Sequence, residues 1–141
     1  MDNKEIVRRA LEDAWTDLSV LDELIDESYE GHDPAAPEPW RGIQGAKDNV
    51  NLYLSAFEDA QIKVLRQIAE GEYVATRWEG RGRHTGDLMG IAPTGKEVVV
   101  TGQTCSRVVD GKIVAEQTNW DTLGMLQQIG AIPAMQPAPT T

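Results

Sequence analysis

The chain has 141 residues, 40% of them hydrophobic, with a net charge of -10 and one cysteine. That length predicts one domain with room for a sizeable core, and the charge argues against nucleic acid and anionic membrane surfaces, because no basic stripe exists to neutralise phosphates. No apolar run approaches the roughly 18 residues of a spanning helix. The lone Cys105 excludes an internal disulfide. The opening "MDNKEIVRRALEDAW" has helical rather than signal-peptide character, so a cytoplasmic location is expected.

In chain order, residues 3–18 predict an amphipathic helix, with Val7, Leu11, Ala14, Trp15 and Leu18 on one stripe and Asp2 or Asn3 as its cap. "SVLDELID" predicts a short second helix, with Ser19 and Asp22 approximating a capping box. Residues 31–42, "GHDPAAPEPWRG", are a proline- and glycine-rich loop. Ala46, Val50, Tyr53 and Phe57 predict a third helix over 45–57. The period then changes to two. "QIKVLRQIA" places Ile62, Val64 and Ile68 on one strand face, and "EYVATRWEGRGRH" does the same for Val74, Thr76, Trp78 and His84. Gly80 and Gly82 point to a bend or to close approach by another group. After a glycine-rich loop at 85–96, "EVVVTGQTCSRVV" and "KIVAEQTNW" predict two strands joined at Asp110-Gly111. A short helix after Asp121 and a proline-rich tail, predicted to be disordered over 133–141, complete the chain, so the domain is expected to span 1–132. Helices followed by antiparallel strands make an α+β fold, whose curved sheet and helices can enclose a pocket.

Two hairpin registers are open. A two-residue loop sets Gly102, Thr104 and Ser106 opposite the face of Asp121; a glycine bulge at Gly111 sets Thr101, Gln103, Cys105 and Arg107 there. The second is favoured. It gives a semi-polar face of Gln103, Asn119 and Asp121, running toward Cys105, Ala115 and Ile113, which suits a cavity wall. Asp121 itself reads equally as a helix cap, because it precedes "TLGMLQQIG".

The motifs "HTG" (84–86), "GIAPTGK" (90–96), "DGKIV" (110–114), "NWDTLGMLQQIG" and "YEGHDP" (29–34) resemble the SnoaL-like polyketide cyclase family of the nuclear transport factor 2-like superfamily. The resemblance extends from the Trp15 helix to Ile132. It implies a cone-shaped half-barrel of curved antiparallel sheet with N-terminal helices around a pocket. It implies, further, a cofactor-independent and metal-free enzyme that closes rings by intramolecular aldol condensation, with Asp121 as acid/base. A carboxylate made more basic by burial can take a proton from carbon and return it to oxygen. Gln103 matches a polar pocket position of the family. Gln103, Asn119, Gln117, His84, His32 and Trp40 are the expected substrate-binding residues, and a small hydrophobic carbonyl compound the expected ligand. Gln117 stands where the family often has tryptophan and would make the pocket floor more polar. Face-to-face sheet pairing in the superfamily implies a homodimer. Two rivals stand beside this reading: an epoxide hydrolase, needing Arg77 or Arg107 in an Asp–Arg–Asp arrangement, and a non-catalytic binding or dimerisation module.

Overall fold

The computed structural model describes residues 1–133; the rest of the expected tail lies outside the described residues. Helix α1 (Asn3–Glu12) starts where the Asp2 carboxylate accepts from the Glu5 N–H at 2.8 Å, and it continues into a 3₁₀ turn at Asp13–Trp15. Helix α2 is five residues long (Val20–Leu24). The expected Ser19 capping box does not form; Asp17 instead accepts from both the amide and the hydroxyl of Ser19. Strand β1 (Ile25–His32) follows, in a stretch whose sequence promised a helix end and a loop. Next come β2 (Trp40–Arg41) and α3 (Gly42–Ala56). Four long strands then build most of the sheet: β3 (Phe57–Glu70), β4 (Tyr73–His84), β5 (Glu97–Val109) and β6 (Lys112–Trp120). Helix α4 (Thr122–Gln128) closes the described chain.

The α+β half-barrel expected from the sequence is present. Six strands lie in the order β2-β1-β6-β5-β4-β3, curled but not closed. All neighbours are antiparallel except β1 and β6, which run parallel with Gly31 opposite Glu116. One core cluster joins α1, α2 and α3 to the sheet through Val7, Leu24, Ile25, Val74, Val108 and Ile113. A second gathers Ala56, Phe57, Leu88, Val98, Met125 and Ile129 around α4 and the 85–96 loop.

Two of the sheet's bulges bear most on how the expected faces fall. In β3, Val64 pairs with Trp78 but Arg66 pairs with Arg77, so Leu65 is an extra residue. Side chains beyond it switch faces. Ile62 and Val64 turn inward as expected, but Ile68 is 66% exposed and Gln67 takes the inner position. The Glu12 carboxylate accepts from the Val64 N–H at 2.8 Å and ties α1 to this irregular point.

The second bulge lies in β6. Asp110 and Gly111 both have positive φ (50° and 78°), and Val109 pairs directly with Lys112, so the turn is a two-residue loop rather than a glycine bulge. The register nevertheless shifts between Arg107 and Val108: Val108 pairs with Ile113 and Arg107 with Ala115, leaving Val114 as the extra residue. The pairing expected beyond the turn, Gln103 opposite Asn119, is therefore found, but for a different reason. The consequence is a reversal of faces. Ile113 points into the core, whereas Gln117 and Asn119 point outward, and Glu116, Thr118 and Trp120 point inward.

Candidate active site

Between the helices and the concave sheet face lies a cavity of about 170 Å³. That is room for about a dozen waters, and so for a small multi-ring molecule. Its wall is built from aromatic side chains. All four tryptophans (Trp15, Trp40, Trp78 and Trp120) line it, as do Tyr29, Tyr53 and Phe57; of the chain's aromatic residues only Tyr73 lies elsewhere. The period-two face of β4 and the face of β6 beyond its bulge bring Trp78 and Trp120 there. The Trp78 ring lies flat over Gly102, whose missing side chain makes the space, and its Nε1–H donates to Thr104 Oγ1 at 3.0 Å. Phe57 covers Gly82 in the same way, which is the close approach that the strand glycines announced.

Within this apolar wall sit a few polar groups. Glu116, from β6, faces the cavity with its two carboxyl oxygens held separately. The Tyr29 hydroxyl donates to Oε1 at 3.0 Å, and the Ser106 hydroxyl donates to Oε2 at 2.7 Å. Gly31 makes the first bond possible, because any side chain there would overlap the Tyr29 hydroxyl that crosses it. Burial raises the Glu116 pKa above its ordinary 4.5, against the opposing pull of the bonds from Ser106 and Tyr29. Burial, and then the charge and hydrogen bond of Glu116, push the Tyr29 hydroxyl well above its usual value. The Tyr53 hydroxyl is raised by burial and by the nearby charge of Asp33. Asp33 lies just beyond the end of β1. It accepts from the Ala35 N–H at 2.8 Å and from the Trp120 Nε1–H at 2.9 Å. Thr104 and Thr118 share a hydroxyl–hydroxyl bond of 2.9 Å on the floor.

The residues expected from sequence divide sharply. His32 and Trp40 line the cavity, His32 beside Glu30 with its side chain 53% exposed. Gln103, Gln117 and Asn119 do not; all three are exposed on the outer sheet face, because the bulge at Val114 reverses the parity that Ile113 suggested. The cavity face of β6 consequently carries Glu116, Thr118 and Trp120 in place of those amides, and Gln117 does not reach it. His84 is fully buried beneath the Phe57 ring, outside the cavity lining. Its Nδ1 meets Thr94 Oγ1 at 3.1 Å and the Thr94 N–H at 3.3 Å, which anchors the 85–96 loop.

Asp121 also falls outside the cavity lining. It is exposed, and its carboxylate caps α4, accepting from the Gly124 N–H at 2.8 Å. The geometry shows the cap that the sequence offered for this residue. Arg77 and Arg107 are exposed too, and Arg107 pairs with Glu72, so no Asp–Arg–Asp arrangement forms around Asp121. Among the described residues no cluster of three or more His, Cys, Asp or Glu gathers as a metal site would, and no helix is long and apolar enough to cross a membrane.

The same architecture recurs in solved structures. IdmH of Streptomyces antibioticus, a candidate polyketide cyclase, is 31% identical; the match covers 92% of this chain and 99% of IdmH with a TM-score of 0.79. AclR of Streptomyces galilaeus, a candidate hydroxylase, is 26% identical over 95% of this chain and 84% of its own, with a TM-score of 0.80. A protein of ketosteroid isomerase-like fold from Catenulispora acidiphila, solved with trimethylamine, is 19% identical over 94% of this chain and 98% of its own, with a TM-score of 0.77, and shares the fold. No curated protein matches the chain significantly. The family model for SnoaL-like polyketide cyclases matches residues 5–129, nearly the whole domain, including every strand that walls the cavity; the chain belongs to that family.

Proposed function

We infer that the protein moves a proton next to a carbonyl group in a flat, polyketide-type compound, as in intramolecular aldol ring closure, and that Glu116 is the acid/base group. The observation that carries this reading is a carboxyl group facing a largely apolar, aromatic-walled cavity, with its pKa raised by burial. A carboxyl tuned upward in this way can serve as general acid or base near neutral pH, where an ordinary one is almost wholly ionised. The substrate supplies the rest of the chemistry, because a carbanion between carbonyls delocalises into a conjugated ring. No cofactor is required. The aromatic walls orient a ring system by stacking.

The test contrasts two carboxylates. Turnover of a confirmed substrate should fall about a hundredfold or more in Glu116→Gln, the scale of general acid–base help. Asp121→Asn should turn over like the wild type, because asparagine caps helices nearly as well. The opposite pattern would return the acid/base role to Asp121 and overturn this reading.

A homodimer formed through the outer sheet face is part of the same proposal. That face carries Ala75, Val99, Gln103, Cys105, Gln117 and Asn119, all exposed, with the charged Arg77 and Arg107 set among them. Such a surface suits a second copy better than solvent. Light scattering at micromolar concentration should give twice the chain mass of 15.5 kDa, and a monomer mass would count against it.

A further inference from the structure

The cavity holds a second carboxyl group in surroundings unlike those of Glu116. Asp33 accepts from two N–H donors, the Ala35 amide at one oxygen and the Trp120 indole at the other. Glu116 accepts only from hydroxyls, in a buried setting that favours its neutral form. Both groups line the same space. They stand at different levels of it. His32 pairs with Gln117, which sets Asp33 at about the level of Thr118, two residues and so roughly 7 Å along β6 from Glu116, and the indole of Trp120 reaches back to hold it. Two carboxyl groups in one site, one held by N–H donors and the other by hydroxyls, can divide the work of base and acid.

We propose that Asp33 is the base that removes the proton from carbon and that Glu116 is the acid that serves the oxygen. The inference rests on the reading of the cavity as a proton-transfer site. In the first step the C–H bond next to the carbonyl breaks and the proton forms an O–H bond on Asp33. The C–H electron pair becomes the enolate double bond, and the carbonyl pair moves to oxygen, where the Glu116 acid donates a hydrogen bond. In ring closure the enolate carbon attacks a second carbonyl, and the new alkoxide takes the proton of Glu116. Asp33 then carries a proton that Glu116 lacks. Solvent resets both at the mouth, where the His32 side chain is exposed. The alternative is that Asp33 only shapes its own turn, since a bond from Ala35 to Asp33 is an Asx turn.

The experiment uses 2-tetralone, a flat bicyclic ketone, and follows deuterium exchange from solvent at its C1 by NMR. Binding of 2-naphthol, measured by calorimetry, reports whether the cavity still takes a ring. Asp33→Asn keeps the shape of the side chain and, with its one carbonyl oxygen toward Ala35, the Asx turn, but gives up the acceptor for the Trp120 indole. It should lower exchange about a hundredfold while 2-naphthol binds within about threefold of wild type and the melting temperature holds. Glu116→Gln should also lower exchange. Exchange at the wild-type rate in Asp33→Asn, with Glu116→Gln impaired, overturns the assignment of Asp33 and leaves the proton-transfer reading standing. Joint loss of exchange and 2-naphthol binding in Asp33→Asn overturns it as well, in favour of a structural role. No acceleration by the wild type, or full exchange in Glu116→Gln, overturns the underlying reading itself.

Discussion

Glu116→Gln should gain stability relative to the wild type as the pH rises, in the same variant that loses activity. Burial raises the carboxyl's pKa in the folded protein above its ordinary 4.5. Below 4.5 the group is protonated in both the folded and unfolded chains and contributes nothing to the difference. Above it the unfolded chain releases the proton while the folded one retains it. The folded state then binds more protons, so stability falls with rising pH until the raised pKa is passed, after which the penalty is constant. Glutamine does not titrate. The melting temperature of Glu116→Gln minus that of the wild type should therefore climb from about pH 4.5 upward and then level off. A difference that stays flat between pH 4 and pH 8 would show that burial does not perturb this carboxyl. The neutral amide also cannot exchange a proton with substrate, so activity should fall about a hundredfold or more. Greater stability with less activity is the signature of a group held in an unfavourable setting for its chemistry.

Gly102→Ala should be the most damaging of the small sheet substitutions. Gly102 pairs across the sheet with Trp78, and a methyl group there would overlap the indole ring that lies on it. The ring cannot lift without breaking its bond to Thr104 and leaving a buried N–H unpaired. Overpacking of this kind costs about 1–3 kcal/mol. The floor hydroxyls of Thr104 and Thr118 would be disturbed as well, so ligand binding should weaken alongside stability. Gln103→Ala, next in sequence but on the exposed outer face, should stay within about 0.5 kcal/mol of wild type. Equal melting temperatures for the two variants would show that Trp78 has another place to go.

The strands were legible because their burial period survives in the residues. Val74, Thr76, Trp78 and His84 alternate as expected and are all buried. Helix α1 was legible for the same reason, and the motif resemblance led to the family. Strand β1 was not, because "IDESYEGH" buries only Ile25, Tyr29 and Gly31 amid acidic residues and reads locally as turn. The inner face of β6 was misread by one residue. Ile113 is an apolar, core-facing side chain, and strict alternation from it puts Gln117 and Asn119 inside. The bulge at Val114 carries no glycine or proline to announce it, yet it exchanges the two faces of everything downstream. Glu116 and Trp120, which alternation assigned to the opposite face, are the residues that line the cavity. Asp121, read as sharing a face with Gln117 and Asn119, lies outside the cavity lining and caps α4. His32 and Trp40 reached the cavity from a segment with no periodicity to misread.

The confinement of all four tryptophans to the cavity wall also fixes the protein's optical behaviour. No indole lies elsewhere to supply a constant background emission, so any ring that enters the cavity acts on the whole intrinsic fluorescence at once. Two of the indole N–H groups already carry hydrogen bonds, Trp78 to Thr104 and Trp120 to Asp33. A carboxylate beside the Trp120 indole makes that chromophore sensitive to charge, and neutralising Asp33 should shift its emission before any ligand is added. The same concentration of chromophores has a drawback for anyone following denaturation: a fluorescence melt of this protein reports the state of the cavity, and a far-ultraviolet circular dichroism melt is needed to see the rest of the sheet.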